Sequence, residues 1–327
     1  MNNFISNLEK GELHVHLNGL ISTTTIQEII IEESIKVPKN FNIKRDLLIE
    51  QPMANLKDYL KPWEVLRLIP TKRANLRIMM LNAFANLKQQ NVSFVEIRNS
   101  IIYLSFLNDI SVDLALELFL EEMQYASEKY QIKAGLIMTI SRGDYCSDNF
   151  NVLIKAYEAI GKPSSVIGLD LAGNEDIEVS NGIGSLFKNA KDKYGLNITI
   201  HAGETGNKEN IRKAIDLFSA DRIGHATAAG KDIETMSYIK EKNVCIEVCP
   251  ISNRLTGAVK EKDYHPLIEF IKYDVPFVVC SDNPAIHNKT INDDYLSFYN
   301  ECKRKDILEN MFNTQKQYTF IKDYNEN

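Results

Sequence analysis

Residues 12–17 read ELHVHL, a short apolar run that carries the two histidines His14 and His16. Three later apolar runs each lead into a further candidate site residue: NITIHAGE into His201, DRIGHA into His225 and VPFVVCSD into Asp282. Residues so far apart in the sequence meet only if the strands that carry them lie side by side with their carboxyl ends at one face. A closed barrel of parallel strands has this arrangement, and barrel enzymes carry their active sites at that face. The pattern therefore predicts a metal-dependent enzyme.

Eight strand-like runs recur along the chain, and most are continuous Val, Ile and Leu stretches, as strands buried on both faces require. We predict strands at 12–17, 92–98, 132–139, 166–171, 196–201, 221–225, 244–249 and 275–281. Between them we predict helices at 75–90, 111–130, 149–161, 182–194, 207–218, 231–242 and 262–273. Strands that alternate with helices are typical of an α/β protein with a parallel sheet. The chain of 327 residues is therefore predicted to form one domain over residues 1–327, a (β/α)8 TIM barrel with insertions.

The connection between the first two predicted strands is much longer than the others and covers about residues 20–75. It contains TIQEIIIEES, a polar segment interrupted by prolines, and NLKDYLKPWEVLRLI. We predict extra helices here that form a lid over the mouth of the barrel. Tyr59 and Trp63 are predicted to line the pocket, although packing within a small helical layer would explain them equally well.

The composition limits the classes of partner. The net charge is −6 and no long basic run is present, so nucleic-acid binding through a broad basic surface is not expected. No stretch reaches the ~20 apolar residues that a membrane span requires, and the amino-terminal sequence lacks the pattern of a secretory signal. The five cysteines are scattered without a C-x-x-C pair, which is typical of reduced thiols. We therefore expect a cytoplasmic protein that acts on a small molecule. Nothing in the sequence indicates its oligomeric state.

The histidines and the late aspartate form a chemically sensible metal site. His14 and His16 lie two residues apart on a predicted strand, so both side chains point to the same side. Imidazole nitrogens suit zinc, and a catalytic zinc keeps one coordination position for water. His201 and Asp282 complete a set of three nitrogens and one oxygen that leaves this position open. Zinc lowers the pKa of its water to about 7, which makes a hydroxide nucleophile available at neutral pH.

Two further residues have the chemistry of acid–base catalysts. Glu204 follows His201 by three residues, and desolvation there would keep its carboxyl group protonated, as a general acid toward a substrate nitrogen. His225 ends the next predicted strand and, as a non-ligand, could polarise or deprotonate the attacking water. These roles suit hydrolysis of an amidine-like carbon that loses ammonia. Chemistry alone leaves amide, ester and phosphoester hydrolysis open.

Seven motifs along the chain resemble, in the same order, those of the adenosine deaminase family of the amidohydrolase superfamily. They are ELHVHLNG at 12–19, VEIR at 95–98, GLDLAGNE at 168–175, HAGE at 201–204, RIGHA at 222–226, CPISNRLTGA at 249–258 and SDNP at 281–284. The resemblance implies hydrolytic deamination at C6 of a purine, in which ammonia leaves and a six-amino purine becomes a six-oxo purine.

The resemblance also implies roles for single residues. The three histidine ligands and Asp282 would bind zinc, and Asp282 would act in catalysis as well. Glu204 would protonate the purine N1, His225 would steer the hydroxide, and Gly173 would present its backbone to N3. Binuclear amidohydrolases carry a modified lysine on the fourth strand, where this chain has Asp170. One zinc ion per chain is therefore expected.

One departure from the family bears on the substrate. Adenosine-specific members usually have Asp where this chain has Asn18, and that Asp accepts the ribose 5′-hydroxyl. Two unit charges 4 Å apart repel by about 1 kcal/mol in water and about 4 kcal/mol at an effective dielectric of 20, so an amide makes room for a 5′-phosphate. Residues 22–25 (STTT) could bind phosphate oxygens or cap a helix. The branch that acts on N6-methyl-AMP shares HLNG and a hydroxyl-rich turn, but this chain keeps the nucleoside-type HAGE at Glu204.

A second departure lies at Asn283, where many members have an Asp that contacts purine N7. An amide can donate to an unprotonated N7, so we expect Asn283 to bind the substrate. We predict deamination of an adenine nucleoside or 5′-nucleotide. Three alternatives remain. The enzyme could be restricted to 5′-phosphorylated substrates (AMP, dAMP, ATP, dATP or N6-methyl-AMP), it could act on free adenine, or the chain could be a purine-binding barrel without catalysis.

Overall fold

A computed structural model describes residues 1–180 and 182–322, and its centre is one sheet of eight parallel strands in sequential order. The strands are β1 (Lys10–His16), β2 (Val92–Asn99), β3 (Lys133–Ser141), β4 (Val166–Ala172), β5 (Asn197–Ala202), β6 (Arg222–His225), β7 (Cys245–Val248) and β8 (Phe277–Val279). The last strand continues into a parallel bridge between Val15 and Asp282. There the Asp282 amide donates to the His14 carbonyl at 2.8 Å, and the His16 amide donates to the Asp282 carbonyl at 3.1 Å. These bonds close the sheet, and the predicted (β/α)8 barrel is confirmed.

Helices alternate with the strands. They are α1 (Asn2–Asn7), α2 (Leu17–Leu20), α3 (Thr23–Glu32), α4 (Ile43–Asp46), α5 (Leu56–Tyr59), α6 (Trp63–Leu66), α7 (Arg73–Gln89), α8 (Ile101–Asn108), α9 (Val112–Tyr130), α10 (Cys146–Ala159), α11 (Gly182–Tyr194), α12 (Lys208–Asp216), α13 (Ile233–Glu241), α14 (Pro250–Leu255), α15 (Leu267–Lys272), α16 (Ile291–Cys302) and α17 (Lys305–Tyr318), with a 3-10 turn at Thr227–Lys231. In the described part of the chain, no helix is both long and apolar enough to span a bilayer.

The predicted helix at 262–273 is wrong in its first half, because helix begins only at Leu267. Pro266 is the residue before it, with a φ of −52°. Proline has no N–H to donate and its ring clashes with the preceding turn, so it is tolerated at a helix start and not in a helix interior. The short helices α8 and α14 and the carboxyl-terminal α16 and α17 were not among the predicted helices.

The segment between β1 and α7 consists of the short helices α2 to α6 joined by irregular chain. Most of these helices have only four residues, too short to be stable without packing against the barrel. Residues 56, 59, 60, 63, 64, 67, 69 and 70 line the cavity described below. The predicted insertion of helices is therefore present beside the barrel mouth, while its action as a movable lid stays a prediction.

The interior of the barrel holds ion pairs under the carboxyl face. The Arg98 and Arg222 guanidinium groups donate to the two oxygens of Glu247 at 2.6 and 2.8 Å, and Arg222 also pairs with Glu96. All four side chains are buried, and buried charges are tolerated only when they are paired and hydrogen-bonded. After α17, Thr319 and the Phe320 amide donate to Glu96, so residues 319 and 320 contact these buried ion pairs.

Candidate functional site

The carboxyl ends of three strands bring four predicted metal ligands together. His14 and His16 lie on β1, His201 lies on β5, and Asp282 follows β8. One ligand atom from each lies within 4.8 Å of all the others. His16 Nε2 is 3.3 Å from His201 Nε2 and 3.5 Å from Asp282 Oδ1, and His14 Nε2 is 3.6 Å from the same oxygen. This spacing suits ligands that share one metal ion.

Buried carboxylates orient two of the imidazoles. Glu247 Oε2 is 2.7 Å from His14 Nδ1, and Asp170 Oδ1 is 2.9 Å from His201 Nδ1. Each carboxylate accepts a hydrogen bond from the Nδ1–H group, which leaves the Nε2 lone pair for the cluster, and metal-binding histidines are typically oriented by such partners. The donor set of three imidazole nitrogens and one carboxylate fits a divalent metal ion.

Arg98 supplies positive charge beneath these carboxylates. Its guanidinium is 2.6 Å from Glu247 and 3.7 Å from Asp170, and it lies 3.2 Å from His14 Nε2. Burial opposes ionisation of Asp170, but His201 and Arg98 outweigh that effect and lower its pKa to about 2. Burial also lowers the pKa of His201. An ionised Asp170 and a neutral His201 are the forms that a metal site needs.

Asp282 is held by its backbone and by Ser252. Its φ is 62°, in the left-handed region that non-glycine residues seldom occupy. Ser252 donates to Oδ2 at 2.6 Å, while Oδ1 faces His14 and His16. One carboxylate oxygen is thus occupied by a hydroxyl donor and the other is directed at the ligand cluster.

Glu204 and His225 lie beside this cluster. The His225 Nε2 atom is 3.8 Å from Glu204 Oε1, and both side chains are buried. Burial raises the pKa of Glu204 well above its ordinary value, and the negative charges of Asp282 and Glu175 add to the effect. Burial lowers the pKa of His225 well below its ordinary value. Burial thus favours the protonated form of the carboxyl group and the neutral form of the imidazole.

His225 has an unpredicted partner in Asn253. The Asn253 amide nitrogen is 3.0 Å from His225 Nδ1 and donates to it. In a neutral imidazole the proton then lies on Nε2, the nitrogen that faces Glu204. The His225 backbone is left-handed, with a φ of 66°, and such strain is tolerated where the surrounding structure fixes the residue.

The insertion contributes Tyr59, whose phenol is hydrogen-bonded into the site. Its oxygen is 2.7 Å from His287 Nε2 and 3.4 Å from Asp282 Oδ2, and it accepts from the Asn283 amide at 3.1 Å. Tyr59 is 2% exposed. It is therefore the part of the insertion that contacts both the ligand cluster and Asn283.

A cavity of about 340 Å³ opens in front of the cluster, a volume within the range of small-molecule sites. Every predicted site residue except His14 lines it, namely His16, Asn18, Tyr59, Trp63, Gly173, His201, Glu204, His225, Asp282 and Asn283. His14 is fully buried behind them. Gly224 makes room for His14, because a Cβ there would lie 2.9 Å from the imidazole.

Asn18 lies at the cavity, but the hydroxyl-rich turn at residues 22–25 lies away from it. The Asn18 amide donates to the Leu66 carbonyl at 2.6 Å, at the end of α6. Ser22 is the N-cap of α3 and its hydroxyl accepts from the Thr25 amide. None of residues 22–25 lines the cavity. Helix capping, the alternative to phosphate binding, accounts for Ser22.

In the sequence, Asp170 is noted only as the residue in place of a bridging lysine, and the orienting roles of Asp170, Glu247 and the Asn253 amide are not predicted. A usable signal existed for the two carboxylates, because each is the lone charged residue within an otherwise apolar strand. An ionised side chain at such a position must have a buried partner. Asn253 offered no comparable signal, since its place beside His225 depends on how β7 leads into α14.

Comparison with known proteins finds similarity over most of the chain. The sequence model of the adenosine deaminase family matches residues 9–307. An adenosine deaminase of Clostridium botulinum is 32% identical over 288 residues, which is 87% of this chain and 85% of that protein. An adenosine deaminase of Clostridium acetobutylicum is 33% identical over 303 residues, which is 90% of this chain and 88% of that protein.

Three solved structures share the fold at lower identity. Adenine deaminase from Arthrobacter aurescens superimposes with a TM-score of 0.83 at 19% identity, covering 97% of this chain and 98% of that one. A zinc-bound amidohydrolase from Burkholderia ambifaria has a TM-score of 0.84 at 18% identity, covering 98% and 87%. The N6-methyl-AMP deaminase of Arabidopsis thaliana has a TM-score of 0.83 at 22% identity, covering 98% and 94%.

Proposed function

We propose, since the chain belongs to the adenosine deaminase family, that it removes the 6-amino group of an adenine nucleoside by hydrolysis and releases ammonia. The observation that carries the proposal is the buried Glu204 facing the buried His225 beside four convergent metal ligands, all at one cavity. A carboxylic acid kept neutral near pH 7 can give its proton to a ring nitrogen, and this chemistry is needed when an amidine carbon is attacked by water.

The ligand cluster is proposed to hold one zinc ion. The donors are those that zinc prefers, and the structural neighbour from Burkholderia ambifaria is a zinc-bound protein. Bound there, zinc would supply Lewis-acid activation of water at neutral pH. Asp170 stands on β4 where a bridging lysine would be needed for a second ion, and its carboxylate is already paired with His201.

The residues of this chain would act on the purine as follows. Glu204 donates its proton to N1, which makes C6 more electrophilic, and His225 orients the attacking water through its Nε2 proton. Asp282 accepts hydrogen bonds from that water as well as acting as a ligand. The Gly173 backbone, whose φ of 99° requires glycine, binds N3, and the Asn283 amide binds N7.

The walls of the cavity would hold the base and the sugar. Trp63 and Tyr59 lie against one another with ring centroids 6.0 Å apart, and together they present an apolar face from the insertion. The insertion would close over bound substrate and exclude water, as a lid does.

A 5′-nucleotide is the second candidate substrate, and Asn18 is the observation that favours it. An amide in place of a carboxylate removes negative charge beside the Leu66 carbonyl, and the neighbouring Arg67 lines the same cavity. The Arabidopsis neighbour is an N6-methyl-AMP deaminase. Against this candidate, residues 22–25 are not at the cavity, and the relatives above 30% identity are adenosine deaminases. Free adenine is a third candidate, since the Arthrobacter aurescens neighbour is an adenine deaminase.

A deamination panel on zinc-loaded protein tests the proposal, with loss of the adenine ultraviolet absorbance as the readout. It contains adenosine, deoxyadenosine, AMP, dAMP, ATP, dATP, N6-methyl-AMP and free adenine at equal concentration. We expect the highest kcat/KM for the nucleosides. Preference for phosphorylated substrates would favour the second candidate, and absence of turnover with all eight would leave a purine-binding barrel without catalysis.

We further propose that the protein works in the cytoplasm on small molecules, without nucleic acid or membrane partners.

A further inference from the structure

Glu175 has no role in the proposed chemistry, yet its buried side chain accepts several hydrogen bonds. Its carboxylate accepts from three successive backbone amides, those of Gly203 at 2.5 Å, Glu204 at 2.7 Å and Thr205 at 3.0 Å. It also accepts from the Asn210 side chain at 2.8 Å. Glu175 is 4% exposed. One buried carboxylate thus holds the whole turn that carries Glu204.

The carboxylate joins two different loops of the barrel. Glu175 lies two residues beyond Gly173 in the loop that follows β4, whereas its backbone donors lie in the turn that follows β5. Gly173 and Glu204 both line the cavity. These are the two groups proposed above to contact N3 and N1, which lie on either side of C2 in one six-membered ring.

We propose that Glu175 is a positioning residue that fixes the distance between the Gly173 backbone and the Glu204 carboxyl, and so matches that distance to the N1–N3 edge of a purine. This inference rests on the proposed deaminase function. The bonds suit the task, because hydrogen bonds to an ionised carboxylate are short and about twice as strong as neutral ones. Backbone amides that point at one anion also fix the conformation of the turn, here around Gly203 with its φ of 78°.

A separate contact holds the bases of the two loops. The Arg142 guanidinium donates to the His201 carbonyl at 2.8 Å, and the Arg142 amide donates to the Ala172 carbonyl at 2.9 Å. Ala172 is the last residue of β4 and His201 is the penultimate residue of β5, both beneath the loops. Loss of Glu175 should therefore displace the tips of the loops and leave the metal ligand His201 in place.

The first test compares Glu175→Gln with Glu178→Gln. Gln keeps the shape of Glu but turns an N–H₂ group toward amides that need an acceptor. Glu178 is an exposed carboxylate in the same loop, so its variant makes the same charge change as a control. We expect Glu175→Gln to lower kcat/KM by about 100-fold, mainly in kcat, because small misplacements of a catalytic group cost that much. Zinc content should stay at the wild-type value, and Glu178→Gln should behave as wild type.

A binding experiment separates positioning from general loosening. Calorimetry would give the affinity for purine riboside, which has both nitrogens and no amino group to lose, and for 1-deazaadenosine and 3-deazaadenosine, which each lack one of them. A ligand that contacts only one of the two loops, through N1 or through N3, can shift with that loop when it is displaced. A ligand that contacts both loops cannot. We expect Glu175→Gln to weaken purine riboside by about tenfold or more, and each deaza analogue by less than about threefold, since coupled contacts are not additive.

Equal weakening of all three ligands, or unchanged kinetics, would overturn the proposal. If Glu175→Gln does not fold, Glu175→Asp carries the same comparison, because it keeps the charge but shortens the reach. A wild-type protein that deaminates no adenine compound contradicts the proposed function itself. Wild-type deamination with an unaffected Glu175→Gln contradicts only the role of Glu175.

Discussion

The cavity has two walls of different construction. The barrel wall carries the ligand cluster, Glu204 and His225 at strand ends. Apart from His16, each of these residues is held through its side chain or backbone by a buried partner: Glu247, Asp170, Ser252, Glu175 or Asn253. The insertion wall carries Tyr59 and Trp63 on helices of four residues each. Tyr59 alone of these two is hydrogen-bonded to residues of the barrel wall.

This difference indicates that the barrel wall performs the reaction and that the insertion wall selects the substrate. Groups that transfer protons or hold a metal must be fixed within about half an ångström, and strand ends braced from beneath provide this. Groups that choose among substrates need shape more than exact orientation, and short helices beside the mouth can vary without disturbing the reaction. Variants of the barrel wall should therefore affect turnover of every substrate, and variants of the insertion wall should change which substrate is preferred.

The largest expected effect is that of His16→Ala on the barrel wall. Removal of one imidazole from the cluster should abolish zinc binding at sub-stoichiometric free metal and reduce deamination below detection. His265→Asn is the control, because His265 is a buried histidine that lies outside the cluster. Metal analysis after dialysis, together with the rate on adenosine, measures both. A variant that keeps one zinc per chain and near-normal turnover would contradict the proposed ligand set.

The next largest effect is that of Glu204→Gln. General acid catalysis contributes about 10²- to 10⁴-fold, so we expect a loss of that size in kcat with zinc retained. The wild-type rate should also depend on pH with a definite sign. Burial, then Asp282 and Glu175, raise the pKa of Glu204, and the acid works only while protonated, so the rate should fall as pH rises through that raised pKa. In Glu204→Gln this alkaline decline should disappear. Near-normal turnover would rule out the acid role.

The contrast between the walls also explains how much could be predicted from the sequence. The barrel and its metal ligands could be predicted because apolar runs mark the strands and because chemically distinctive residues such as His14 and His201 lie at the strand ends. Asp170 and Glu247 could have been found as lone charges in apolar strands. The insertion offers no such regularity: Trp63 and Tyr59 lie on single helical turns, whose position depends on tertiary packing rather than on local propensity. The contact of Tyr59 with His287 joins segments that no local pattern connects.

A smaller, selective effect is expected from Asn18→Asp at the border of the two walls. The introduced carboxylate would repel a 5′-phosphate by about 1 to 4 kcal/mol, depending on the effective dielectric, which corresponds to roughly fivefold or more in affinity. Loss of the donor to the Leu66 carbonyl should affect both substrates alike, so adenosine, which has no charge there, should be affected less than AMP. The ratio of kcat/KM for AMP to that for adenosine measures this, with Glu178→Gln as a charge-change control in an exposed loop. An equal effect on both substrates would show that Asn18 does not determine the preference between AMP and adenosine.

The smallest effect should come from Tyr59→Phe, which cuts the hydrogen bonds between the walls while keeping the ring. The hydroxyl makes one short contact, with His287, and two longer ones, with Asn283 and Asp282. A net loss of about 1 kcal/mol would raise KM roughly fivefold, and we expect kcat to change little. Zinc should be retained, because Ser252 still donates to Asp282. The control is Tyr103→Phe, which alters a partly exposed tyrosine at the cavity. If Tyr59→Phe instead lowered kcat by orders of magnitude, the insertion would take part in the chemistry, and the division of labour between the two walls would be wrong.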